Sequence, residues 1–128
     1  MRRAPIAILL AVALAGCWRE DVGRTYYPSG RLKSEATVKN DVLEGPAVTY
    51  YENGRKKGEA TYNAGMLDGE SVAYYESGAK KAEARYRNGV LDGTSISWAE
   101  DGTVRSRAEF REGRLVPPAG PPDSKTAK

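Results

Sequence analysis

Between its turns the chain alternates side-chain character with period two, as a sheet with two unlike faces requires. Lys57, Glu59 and Thr61 fall on one side of the alternation, and Gly58, Ala60 and Tyr62 on the other. The equivalents are Lys81, Glu83 and Arg85 against Ala82, Ala84 and Tyr86, then Arg105, Arg107 and Glu109 against Ser106, Ala108 and Phe110. Returning strands bring bulk as Val48 and Tyr50, Val72 and Tyr74, and Ile96 and Trp98. We expect that bulk on the face of the small residues, where large side chains lean over small ones. The opposite face is then charged and wet. The pattern predicts an all-β fold, an elongated single-layer antiparallel meander of repeated hairpins.

The alternation recurs with a fixed period. Tyr62 to Gly78 reappears 24 residues earlier as Val38 to Gly54 and 24 later as Tyr86 to Gly102, with no insertion or loss. Such a period means one supersecondary unit stacked on itself. Gly30, Gly54, Gly78 and Gly102 mark one turn phase, and Gly65, Gly89 and Gly113 a second, with Asp41 standing there in the first copy. Gly45, Gly69 and Gly93 form a third phase inside strands, where glycine signals a bulge or a close backbone approach. A deviating first-copy turn is expected at Asp41.

Composition narrows the function classes. Of 128 residues, 20 are basic and 17 acidic, and there is one cysteine and no histidine. Without Arg2 and Arg3 the balance is 18 to 17, so no concentrated basic face for nucleic acid is expected. One cysteine rules out an internal disulfide and a multi-cysteine zinc site.

The chain opens with Arg2 and Arg3, followed by an apolar run from Ala4 to Ala15 of 12 residues. That is shorter than the ~20 needed to span a bilayer and fits a secretory signal peptide. The run ends in Leu14-Ala15-Gly16-Cys17, which resembles the lipobox of bacterial lipoproteins. The resemblance implies cleavage before Cys17, a diacylglycerol on its sulfur and usually an acyl chain such as palmitate on the new amino terminus. Two or three chains, at about 0.8 kcal/mol per buried methylene, anchor almost irreversibly. In proteobacterial lipoproteins an aspartate after the cysteine favours the inner membrane. Trp18 stands here, which points to the outer membrane and the periplasmic side.

The repeats resemble the bacterial, 24-residue variant of MORN-type repeats. The pattern is carried by Tyr86, Asn88, Gly89, Gly93, Trp98, Asp101 and Gly102, and by Tyr62, Gly65, Gly69, Tyr74, Tyr75, Ser77 and Gly78. Departures are Ala64 for asparagine, Asp41 for glycine and Ala99 for the second aromatic. The resemblance implies an elongated, twisted antiparallel meander in which each unit is a hairpin. The expected organisation is a signal peptide over 1–16, a lipidated cysteine and linker over 17–23, repeats over 24–116 and a proline-rich disordered tail over 117–128.

No constellation points to a reaction, and no cofactor or small-molecule substrate is expected. Glu52, Glu76 and Glu100 recur in a column about 9.5 Å apart, two strand spacings, and read as solvated turn residues. Glu44, Asp68 and Asp92 supply one carboxylate per loop, too few for calcium. Lys33, Lys57, Lys81 and Arg105 form a basic column interleaved with Glu35, Glu59 and Glu83. It reads as a charge-balanced face, with anionic lipid headgroups as the functional alternative. The candidate partner-binding residues are Tyr27, Tyr51 and Tyr75, expected to be exposed on the face opposite Tyr50 and Tyr74. Tyrosine gives contact area at low entropic cost, although rings in such a column also serve as cross-strand ladders. The sequence suggests a membrane-anchored, non-catalytic scaffold or adaptor for a protein partner in the cell envelope. The alternative is a periplasmic antitoxin or immunity protein, since some bacterial proteins with this repeat carry the antitoxin label.

Overall fold

The computed structural model describes residues 20–120. The expected signal peptide, Cys17 and the tail beyond residue 120 lie outside them. The described chain is one nine-stranded sheet whose spatial order follows the sequence order: β1 (Glu20–Tyr26), β2 (Leu32–Lys39), β3 (Val42–Tyr50), β4 (Lys56–Asn63), β5 (Met66–Tyr74), β6 (Lys80–Arg87), β7 (Val90–Trp98), β8 (Val104–Arg111) and β9 (Arg114–Val116). Every neighbouring pair is antiparallel, so the meander of hairpins expected from the alternation is the fold. Glu20, the first described residue, is already in β1, inside the stretch expected as linker.

Two kinds of turn alternate along the two ends of the strands. At one end a two-residue turn has both central residues at positive φ, as at Ala64 (48°) with Gly65 (79°) and Asn88 (48°) with Gly89 (79°). That backbone matches the twist of the flanking strands. Asn40 and Asp41 adopt the same pair of angles at 49° and 63°, so the first-copy turn is not the deviation that its missing glycine suggests. At the other end a longer loop closes with Tyr51 N donating to Arg55 O and Gly54 N to Tyr51 O, and the other copies repeat it.

Each of β3, β5 and β7 carries a bulge at its third-phase glycine, where three residues stand against one on the preceding strand. Gly93 shows why glycine sits there: its φ is 128°, and an added Cβ meets Arg85 Cβ at 3.1 Å. A second register shift lies at the start of β2, β4, β6 and β8. Tyr50 pairs with Lys56 and Thr49 with Gly58, so Lys57 is an extra residue that leaves the alternation. Lys33, Lys81 and Arg105 are its counterparts.

The register corrects one expectation. Val48, Val72 and Ile96 do not share the face of the small residues; they pair with Glu35, Glu59, Glu83 and Arg107 in one row that starts at Arg24 and crosses β1 to β8. Tyr50 and Tyr74 lie on that same face, with their hydroxyls on Glu35 and Glu59. The cause is turn geometry. Asn63 pairs with Met66, so an odd position on β4 always meets an even one on β5, and a bulge that adds two residues preserves the parity. The other face carries two rows of small residues, such as Ala47, Ala60, Ser71 and Ala84, beside a row of bulk made by Tyr62, Tyr86 and Phe110 with Leu67, Leu91 and Leu115. A single layer buries little, and among the described residues only Val72, at 7% exposure, is a buried hydrophobic side chain. Cohesion therefore comes from the ladder and from contacts between successive units.

Candidate interaction surface

Tyr27, Tyr51 and Tyr75 each follow the last residue of an odd-numbered strand and open the longer loop. The structure places them half-buried, not exposed as the sequence suggests. Each hydroxyl reaches into the next unit: Tyr27 donates to Tyr50 O at 2.6 Å, Tyr51 to Tyr74 O at 2.7 Å and Tyr75 to Trp98 O at 2.8 Å. Above each ring stands the extra lysine of the neighbouring bulge. Lys33, Lys57 and Lys81 lie 5.7, 5.7 and 5.6 Å from the ring centroids of Tyr27, Tyr51 and Tyr75. Such contacts contribute about 0.5–1 kcal/mol at exposed sites. Ala99 replaces the fourth tyrosine, and among the described residues Arg105 stands over no ring.

The basic column and the tyrosine column, separate features in the sequence, are thus one row of Tyr–Lys pairs. Arg31 and Arg55 support its outer side by donating to the carbonyls of Glu52 and Glu76 at 2.7 and 3.1 Å. These arginine bonds are invisible in the sequence, although recurrence of a base after the loop glycine is a usable signal. The Glu52, Glu76 and Glu100 residues are exposed at turn positions. Glu44 and Asp92 serve the other end, where their carboxylates accept from the amides of Ala64 and Glu112 in the following turn at 2.7 and 3.3 Å. Asp68 accepts instead from Asn63 Nδ2 at 3.3 Å.

On the opposite face the glutamate column is paired rather than solvated. Glu59 accepts from Lys56 Nζ at 2.8 Å and Tyr74 Oη at 2.6 Å. Glu35 holds Arg24 and Tyr50, and Glu83 holds Lys80, which also stands over the Trp98 ring at 5.8 Å. The Lys56 ammonium, and after it the Tyr74 hydroxyl, keep the Glu59 carboxyl below its ordinary 4.5. The same bond, with burial adding to it, pushes Tyr74 up to about 12. Glu59 therefore contributes stability in full above pH 4.5 and loses it as pH falls through the depressed folded value. Tyr74 contributes in full below pH 10 and loses its share as pH rises towards 12. A plot of melting temperature against pH is expected to fall on both sides, and Glu59→Gln to flatten both limbs. Parallel curves for the two proteins would remove Glu59 from this role.

A chain of stacked two-strand units, tied unit to unit by side chains at both ends of the strands, defines the class: a β-repeat protein. Three stretches, residues 22–40, 43–64 and 67–88, match the model of the MORN repeat variant. Over those three stretches the chain carries repeats of that variant, as the Tyr, Asn-Gly and Gly phases suggest. No curated protein matches it. A solved structure described as "Crystal structure of accessory secretory protein 1,2 and 3 in Streptococcus pneumoniae" is similar at 15% identity and a TM-score of 0.42. That similarity covers 75% of this chain and 18% of the other.

Proposed function

We propose that this protein is a membrane-anchored lipoprotein whose repeats act as a non-catalytic scaffold for a protein partner in the cell envelope. The observation that carries the binding role is the row of Tyr–Lys pairs. Each ring is fixed from below by its hydroxyl bond to the next unit and covered in part by a lysine. Rings fixed in advance spend little entropy on binding, which is the usual obstacle to affinity on an open surface. Successive pairs lie two strands apart, about 9.5 Å, so a partner meets equivalent contacts at a fixed spacing. Beside the row runs a shallow groove of about 340 Å³ over Thr49, Gly58, Ala60, Ser71 and Ala73, where small side chains let a partner approach the sheet closely.

Anchoring is supported by the lipobox Leu14-Ala15-Gly16-Cys17 after a basic start and an apolar run. With Trp18 in place of aspartate, the reading is an outer-membrane protein facing the periplasm, held close to the bilayer because β1 begins at Glu20. Fractionation tests it: Cys17→Ala is expected to accumulate as an unprocessed or soluble precursor. A mature-sized Cys17→Ala protein in the membrane fraction overturns the anchor. Partner capture through the Tyr–Lys row is tested by the paired variants argued in the Discussion.

A further inference from the structure

The last long strand has an incomplete neighbour. β9 pairs with Glu109, Phe110 and Arg111 of β8, and among the described residues no strand pairs with the outer side of Val104 to Ala108. Each preceding even-numbered strand is paired on its outer side at the last three positions of the equivalent stretch, as β4 is by β5 at Gly58, Glu59 and Ala60. The chain's own continuation is poorly suited to finish the ladder. Pro117, Pro118, Pro121 and Pro122 bring no N–H groups where donors are needed.

The edge also differs in charge. Glu35, Glu59 and Glu83 occupy one position of β2, β4 and β6, and each is paired with a base: Arg24, Lys56 and Lys80. Arg107 stands at that position in β8, with Ile96 on its inner side and no carboxylate partner among the described residues. A second copy of the chain fits this edge badly. Its free strand is β1, in which Arg24 aligns with Val48, Val72 and Ile96, so continuing the register sets Arg24 against Arg107. Like charges directly opposite destabilise a strand pair.

We infer that the outer edge of β8, Val104 to Ala108, takes an added strand from another protein, an extended segment with a carboxylate opposite Arg107. Main-chain hydrogen bonds supply the affinity of such an addition and side chains its selectivity. A carboxylate on Arg107 adds charge-assisted hydrogen bonds. A groove of about 540 Å³ lies between this edge, at Arg107 and Ala108, and the chain's own continuation over Leu115 to Ala119, and it receives an apolar side chain of the same segment. Leu115 is 62% exposed there.

The test uses the purified full chain and a peptide of residues 19–27, which follows the repeat register, with Arg24→Glu introduced. The unaltered peptide is the control. Hydrogen exchange at Val104 to Ala108 is expected to slow with the Arg24→Glu peptide, which binds at least tenfold more tightly than the control. Arg107→Glu in the chain is expected to reverse that preference and to produce head-to-tail oligomers in sedimentation. Equal binding of the two peptides, or no slowing with either, overturns the proposal. So does self-association of the unaltered chain through β1, which assigns the edge to a second copy. Peptide binding is read on the purified chain with no envelope partner present, so failure here is separable from failure of the Tyr–Lys row.

Discussion

Removal of Arg55 to Gly78 is expected to leave a folded sheet two strands shorter, whereas removal of Arg55 to Met66 alone is expected to unfold it. The first deletion joins Gly54 to Ala79 and restores every contact in kind. Val48 then faces Glu83 as it faced Glu59, Tyr50 pairs with Lys80 as it did with Lys56, and Tyr51 finds Trp98 O where it had Tyr74 O. The second deletion removes β4 and sets β3 beside β5. Their bulges at Gly45 and Gly69 then compete, and the glutamate that Tyr74 and Lys56 shared is gone. Nearest-neighbour stability of a repeat array allows the first change and not the second. In limited proteolysis the half-unit deletion is expected to be cut at least a hundredfold faster, about 3 kcal/mol of lost stability at tenfold per 1.4 kcal/mol. Comparable resistance of the two deletions would falsify the stacked-unit account.

The second large effect separates the two tyrosine columns. Truncating fully buried aromatics costs roughly 3–5 kcal/mol each. Tyr74 and Trp98 are half-buried, so Tyr74→Ala with Trp98→Ala is expected to cost about 3–5 kcal/mol for the pair, a large part of a marginal domain. Tyr51→Ala with Tyr75→Ala removes two hydroxyl bonds between units as well as two rings. It therefore costs stability too, and binding cannot be judged from it alone. Tyr51→Phe with Tyr75→Phe resolves this, since it removes only the bonds, about 1 kcal/mol each. Thermal melting and partner capture from detergent-solubilised envelopes are the two measurements. The alanine pair is expected to melt cooperatively and to lose capture, while the phenylalanine pair melts lower and keeps it. If capture follows the folded fraction in both pairs, the rings are only ties between units.

The sequence by itself determined the fold class, the 24-residue unit and the sites of both turns, because these are local. Positive φ at Gly65 and Gly89, and alternation along each strand, depend on residues within a few positions of one another. Bulges at Gly45, Gly69 and Gly93 were legible for the same reason: glycine inside an alternating run has few other uses. The pairing of faces was legible in principle, since the two-residue turn fixes which parity meets which, but residue size alone misassigned Val72 and Tyr74. Only the tertiary structure decided what Tyr51 and Lys57 do. The ring's hydroxyl partner lies 23 residues away in the next unit, and Lys57 reaches the ring only because a bulge removes it from its strand's alternation. The incomplete edge of β8 was likewise settled in three dimensions, because it depends on how far β9 runs beside its neighbour before Pro117 ends the ladder.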